Sequence, residues 1–312
     1  MDKSTKPEFR SGFIAIIGRP NVGKSTLINC YLGQKIAAVS HVAQTTRRKQ
    51  LGILTLEHAQ LVFMDTPGIH KAAHKLGGFM NDVALETLSD ADLILWLVDA
   101  NTPPEEGDRL CAEALVAIEE LPPVILVMNK SDLVQTDKQS QKVEIYQNLF
   151  PYAEPVFISA TAADGTKELL DKAISKLPVG PQYYDTDQIT DLYERDIAAD
   201  FIREAALVHL KDELPHAIAV RIDQFDERGE TGAHIDATVF VERESQKGIV
   251  IGRGGSMLKK IGETARKEIE KMSGRRVYLE IRVKVSKNWR QNSAVLKQMG
   301  FKKVAYLNSN FQ

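Results

Sequence analysis

"FIAIIGRPNVGKSTLIN", residues 13–29, decides how the chain begins to fold. An apolar strand pattern runs into Gly18, a polar loop closes on Gly23-Lys24-Ser25, and a helical pattern follows. Gly18, Arg19, Pro20, Asn21, Val22, Gly23, Lys24 and Ser25 fit G-x-x-x-x-G-K-[ST] in the strand–loop–helix setting the pattern requires. The glycines let backbone N–H groups turn inward around phosphate oxygens, and the helix N-terminus adds its positive end. Lys24 is expected to reach the β- and γ-phosphates of a nucleotide, and the Ser25 hydroxyl to coordinate Mg2+. Thr26 extends the phosphate-binding set.

Downstream, "LVFMD" (61–65), "LILWLVD" (93–99), "VILVMNK" (124–130) and "PVFISA" (155–160) are further buried-strand patterns. Periodic stretches such as Cys111–Leu121 and Lys138–Phe150 suit crossover helices between them. The alternation predicts an α/β P-loop domain, a mainly parallel sheet with helices on both faces. Ligands of such sheets bind at the carboxyl ends of the strands. There the chain carries Asp65-Thr66-Pro67-Gly68, Asn129-Lys130-Ser131-Asp132 and Ile158-Ser159-Ala160. Asp65 is expected to hold Mg2+ through water, and the Gly68 N–H to contact the γ-phosphate. Guanine presents two adjacent donors that the Asp132 carboxylate accepts together. Adenine would leave that carboxylate unpaired, so GTP is the expected nucleotide. Asn129 is expected to brace the loop and touch the base, the Lys130 stem to cover its face, and Ile158-Ser159-Ala160 to offer a backbone N–H to the guanine O6.

At 312 residues with 43% hydrophobic content, the chain suits two ordinary domains and is not disordered. Its apolar runs are too short to span a bilayer. "MDKSTKPEFRSG" lacks the apolar stretch of a signal peptide and reads as a disordered lead-in over residues 1–11. Cys30 and Cys111 alone make neither a disulfide framework nor a zinc site. Buried thiols in the cytoplasm are the expectation.

The GTPase pattern covers residues 12–178, and the Pro- and Gly-containing stretch 179–190 reads as a linker. Residues 191–312 read differently: a helix over 191–211, two alternating strands around a hairpin, a glycine loop, a helix over 256–272, a third strand and a short helix near 292–300. Residues 181–244 carry 6 Lys+Arg against 16 Asp+Glu, whereas 245–303 carry 16 against 4. That asymmetry points to a polyanion bound by the basic segment, or to mutual neutralisation of the two segments.

"GRPNVGKSTLIN", "QTTR" (44–47), "DTPGIHK", "NKSD" and "ISA" together resemble translation-factor-related GTPases, and in particular the bacterial Era family, over nearly the whole chain. The resemblance implies that Thr46 reaches Mg2+ when GTP is bound. Chemically, the threonine before it would serve as well. It also implies slow turnover, because Ile69 stands where many GTPases orient water with glutamine. Lys24, Thr46, Asp65, Gly68 and Asn21 are the expected catalytic set. Asn21 enters because loops reading G-x-P-N recur in potassium-stimulated relatives, where K+ supplies positive charge. His70 and His74 lack a third metal ligand and read as a solvated switch segment.

The remainder resembles the family's KH domain, in its type II arrangement. G-x-x-G alone is weak evidence, since about one or two arise in a chain this long by glycine usage. Here Ile251-Gly252-Arg253-Gly254-Gly255 joins two helical patterns, with Lys259 and Lys260 just beyond. Ile249, Ile251, Leu258 and Ile261 are expected to face inward. A helix–GxxG–helix unit clamps single-stranded RNA, whereas a helix-turn-helix would read duplex DNA and usually lacks the loop. Trp289 either stacks on a base or anchors the last helix. The resemblance implies 16S ribosomal RNA and maturation of the small ribosomal subunit, which makes a GTP-controlled RNA-binding switch the first reading, with a monomer as the default oligomeric state. A constitutive RNA-binding module is the second reading, and a peripheral membrane GTPase the third.

Overall fold

The computed structural model describes residues 8–39, 46–229, 232–299 and 301. Expectations that fall on the lead-in before residue 8, on Gln44 and Thr45, on the tip of the hairpin and on the last residues lie outside these. The first half is built from β1 (Arg10–Ile17), α1 (Lys24–Leu32), β2 (Gln50–Thr55), β3 (Ala59–Asp65), α2 (Lys75–Ser89), β4 (Leu93–Asp99), α3 (Glu106–Val116), β5 (Val124–Asn129), α4 (Gln139–Gln147), β6 (Glu154–Phe157) and α5 (Thr166–Lys176). The sheet runs β2-β3-β1-β4-β5-β6, parallel throughout except where β2 pairs antiparallel with β3.

β3, β4 and β5 are buried along their whole length, which is why they read as continuous apolar runs. One sheet face packs on Trp96, Met128, Cys111 and Tyr146, the other on Ile14, Phe63, Leu95 and Val127. β2 is buried over its first four residues but carries no such run, because Gln50 and Gly52 interrupt it, and a Cβ at Gly52 would stand 2.7 Å from Ile28. α3 begins five residues earlier than the periodicity over Cys111–Leu121 predicts. A reciprocal capping box sets that start, with the Asp108 carboxylate accepting from Glu105 N–H at 2.9 Å.

The linker is a strap against the first half. Gly180 N–H donates to Phe9 O at 3.1 Å, and Tyr183 and Tyr184 N–H both donate to buried Gln60 Oε1, at 2.7 and 3.0 Å.

The second half comprises α6 (Glu194–His209), β7 (Ala219–Glu227), β8 (Gly232–Val241), α7 (Glu244–Ile251), α8 (Ser256–Ser273), β9 (Arg276–Val285) and α9 (Ser293–Gln298). β8 is central, antiparallel to β7 and parallel to β9, and α6 and α8 cover one face. This α+β arrangement is the type II KH architecture. Its core gathers Phe201, Ile202, Ile235, Val239, Val250, Ile261 and Ile269. The inward set differs at one place from the sequence expectation. Ile249 is 55% exposed and Val250 is buried instead, because α7 turns that face toward the sheet.

A fourth apolar cluster joins the halves. Leu76 and Met80 of α2 pack with Ala219, Trp289, Leu296, Met299 and Phe301. Trp289 is the anchor of the two alternatives: it is fully buried and its Nε1–H donates to Ala217 O at 2.9 Å. No helix among the described residues is long and apolar enough to cross a membrane.

Candidate functional site

A cleft of about 810 Å3 opens at the carboxyl ends of the first sheet's strands. Pro20, Asn21, Gly23, Lys24, Ser25 and Thr26 form its floor, with Thr46, Thr66 and Gly68 on one side and Asn129, Lys130 and Asp132 on the other. Gly23 has φ +104°, and a Cβ there would stand 2.3 Å from Asn129 Nδ2, so only glycine fits. Lys24 Nζ donates to the carbonyls of Gly18 and Arg19, both at 3.0 Å, which curls the loop around its own ammonium.

Three oxygens meet beside it. Ser25 Oγ donates to Asp65 Oδ2 at 2.8 Å, Thr46 Oγ1 donates to the same atom at 3.0 Å, and the two hydroxyls are 3.0 Å apart. Gln50 Nε2 adds a donor at 3.2 Å. Asp65 Oδ1 is buried without a hydrogen-bond partner. Burial pushes the Asp65 carboxyl up and the Lys24 ammonium down, and each charge opposes the other's shift. Two hydroxyls and a carboxylate oxygen within 3.0 Å of one another are the hard oxygen donors that a small divalent cation takes.

Asn129 fastens the far wall. Its Nδ2 donates to Val22 O at 2.7 Å and its Oδ1 accepts from Ala160 N–H at 3.0 Å. Of the 158–160 N–H groups, one of which is expected to meet the guanine O6, that of Ala160 is engaged with this brace, that of Ser159 with Asp164 O and that of Ile158 with Met128 O. Lys130, at φ +62°, pairs with Asp99 at 2.6 Å, while Asp132 is exposed at the rim.

Several expected residues stand behind the wall. Val22 is core, Ser159 exchanges backbone bonds with Asp164, and Pro67 is buried. The Arg19 guanidinium turns away to Asp108, Glu105 and Thr102, at 3.1, 3.1 and 2.8 Å. Ile69 is buried in the core and offers nothing to a water molecule. Leu133 and Thr161, which directly follow expected residues, also line the cleft, as do Ala38, Val39 and Val208, which belong to no motif.

Around residue 46 the chain connects cleft and second half. Arg47, 4% exposed, donates to Ile218 O at 2.7 Å and His216 O at 3.3 Å, and lies over the Trp289 ring. Burial lowers its pKa. His74, expected in a solvated segment, is instead half-buried. Its Nδ1 accepts from Gly77 N–H to cap α2, and Nε2 lies 3.3 Å from Arg290 Nη1. Among the described residues no group of three His, Cys, Asp or Glu side chains could hold a metal ion.

The second glycine loop lies between α7 and α8. Gly252, Gly254 and Gly255 have φ +73°, +61° and +80°, and a Cβ at either of the last two would meet nothing within 4 Å. That open side faces solvent, where a polynucleotide backbone has room to approach. Arg253, Lys259 and Lys260 are exposed, and Ile251 is partly buried against the core. A groove of about 370 Å3 runs on from Gly255, floored by Leu258, Leu279 and Ile281 and rimmed by Lys259 and Arg266. Gly262 and Arg266 recur on the helical stripe that starts at Gly255 and Leu258, a period visible in the sequence. The acidic and basic segments partly neutralise each other elsewhere. Arg275 pairs with Glu194 and Glu227, and Arg290 with Glu242.

Comparison with known proteins agrees with this geometry. Residues 13–130 match a family described as 50S ribosome-binding GTPase, and residues 213–290 match the KH domain. A crystal structure of Era with MgGDPNP and nucleotides 1506–1542 of 16S ribosomal RNA is 36% identical, with a TM-score of 0.89. The match covers 94% of this chain and 99% of that one. A variant of Aquifex aeolicus Era bound to GDP and tetrafluoroaluminate gives the same identity, coverage and TM-score.

Proposed function

The chain belongs to the Era family of GTPases, and from that premise we propose that it is a GTP-controlled, slowly hydrolysing switch that binds 16S ribosomal RNA and assists assembly of the small ribosomal subunit. The observation that carries this reading is a single peptide bond. Thr46 belongs to the Ser25–Asp65 cluster, while Arg47, the next residue, is seated in the second half. A change at the cleft that moves Thr46 pulls on the RNA-binding half directly. The domain matched as a 50S-binding GTPase covers only the nucleotide-binding half. The full-length relative carries RNA of the small subunit, and it guides the choice of partner.

In this reading residues 12–178 bind nucleotide and residues 191–312 bind RNA, with 179–190 as the strap between. Gly18 to Thr26 wrap the phosphates, and Asp65 to Gly68 sense the terminal one. Asn129, Lys130 and Asp132 select guanine, with Ser159 and Ala160 backing the base. Ser25 and Thr46 would hold Mg2+, and Asp65 would do so through water. The bound ion would offset phosphate charge and orient the terminal phosphoryl group. Lys24 exchanges its loop carbonyls for phosphate oxygens, and the Gly68 N–H donates to the terminal one. With Ile69 buried, no side chain at that position orients the attacking water, so turnover is slow. Asn21 is the proposed ligand of an activating K+. Replacing K+ by Na+ at constant ionic strength should lower the rate, and an unchanged rate removes the ion from the mechanism.

For the RNA, Ile251 to Gly255 meet the sugar-phosphate backbone, and Lys259 and Lys260 supply charge. Crosslinking and sequencing of bound RNA, with GTP or GDP present, tests the whole. The expected result is enrichment of one 16S site that strengthens with GTP and disappears when Arg253→Asp and Gly254→Asp are combined. RNA spread across transcripts, indifferent to nucleotide and to the substitutions, would leave only a constitutive binder or no specific RNA function.

A further inference from the structure

The nucleotide cleft is walled by both halves of the chain. Val208, on α6, lines it together with Ala38 and Val39. It is 60% exposed although Phe201–Leu207 before it are all buried, so its side chain faces the cleft mouth and not the helical core. The segment carrying Ala38 and Val39 is clamped on two sides. On one side Asn29 of α1 accepts from Ile36 and Ala37 N–H, both at 3.0 Å, and donates to Ala37 O at 2.8 Å. On the other, Lys35 Nζ reaches Glu204 of α6 at 2.7 Å and Glu268 of α8 at 2.9 Å, and lies 5.1 Å from the centre of the Phe201 ring. One ammonium therefore joins the start of a cleft-lining segment to two helices of the other half. It is partly buried, where such pairs are less screened than at an open surface.

We propose that Lys35 is a positioning residue for the nucleotide: it holds Ala38–Val39 and α6 together so that Val208 closes the cleft, and nucleotide release waits on separation of the two halves. This rests on the cleft being the guanine-nucleotide site. The ion triad supplies the directional hold, and Val208 the apolar contact that a departing ligand must displace. RNA binding at the distant groove then bears on nucleotide retention through α8, which carries both Glu268 and the groove's Lys259 and Arg266.

The test is release of radiolabelled GDP from the full-length chain, chased with unlabelled GDP, which puts no bulky probe on the ligand. Lys35→Met should release GDP about tenfold faster and Val208→Ala about threefold faster, with association rates changed much less. Lys35→Arg should return release to within about twofold of the unaltered chain, because a guanidinium also spans two carboxylates. A merely structural lysine would show no such recovery paired with an off-rate effect. Release within about twofold of the unaltered chain for both Lys35→Met and Val208→Ala would overturn the proposal. So would Lys35→Arg behaving like Lys35→Met. Val208 is exposed, so its variant tests the wall even if Lys35→Met fails to fold. An unaltered chain that retains no GDP at all would overturn the nucleotide assignment as well.

Discussion

Asn129 and Asp132 sit three residues apart and do different work. Asn129 holds the phosphate loop and the 158–160 loop together through one donor and one acceptor, both buried. Asn129→Ala would leave two backbone groups unpaired at a cost of about 2–4 kcal/mol. Its melting temperature and its GDP affinity, read by calorimetry, should therefore fall together. Asp132 is exposed and carries no structural bond of this kind. Asp132→Asn should keep the melting temperature but lose GDP affinity by about a hundredfold or more, since an amide cannot accept two donors side by side. It should gain affinity for xanthosine diphosphate, whose ring presents an oxygen where guanine has an amine. Equal GDP affinity for the two proteins would exclude base reading by this loop. Both residues, and Asn129 as the brace, were legible from the NKSD pattern, but the geometry of that brace was not. It depends on where Val22 and Ala160 stand in space.

α2 is tied to the second half at its first turn. Its N-cap is His74, whose pKa is lowered by burial and then by the nearby Arg290. His216, beside Arg47, is lowered for the same reasons, burial first. Arg290, Arg47 and His70 face His74, and Arg47, Glu213 and Arg290 face His216. Burial favours the neutral form of both imidazoles, so below about pH 6.5 unfolding takes up protons at these positions. Their contribution is complete above about pH 6.5 and is lost as the pH falls through their depressed folded values. The melting temperature should thus drop on acidification from about pH 7.5 to 5.5, and drop less in His74→Asn with His216→Asn. Asparagine retains a side-chain acceptor for the cap at position 74. An identical pH dependence in the double variant would exclude these two groups as its source. From the sequence, His70 and His74 looked like a solvated pair, because spacing alone carries no information about Arg290, more than two hundred residues away.

Across the whole molecule, the apolar joint around Trp289 makes the halves one body. Leu76 and Met80 from the segment after DTPG pack there, as Arg47 does from the segment before β2. Trp289→Ala would remove the largest side chain of that joint, at a cost of about 3–5 kcal/mol. Scanning calorimetry should then resolve two transitions, one for each half, where the unaltered chain shows one. A single transition merely shifted to lower temperature would mean that the halves are held by other contacts, the Lys35 triad foremost. The clamp at Lys35 and the joint at Trp289 grip opposite ends of the segment between α1 and β2.

What the sequence determined by itself was local: a phosphate loop, the DTPG and NKSD motifs at strand ends, a helix–GxxG–helix unit, and the alternation that makes one sheet parallel. These are contiguous stretches whose spacing is set by the backbone, so the code for each is short. β2, the early start of α3, the buried Val250 in place of Ile249, and the wall supplied by Val208 were decided only by tertiary structure. Each depends on residues that are distant in the chain and meet because two hydrophobic cores close against each other. No local period encodes that meeting, and the contacts between the cleft's half and the second half are built from such meetings.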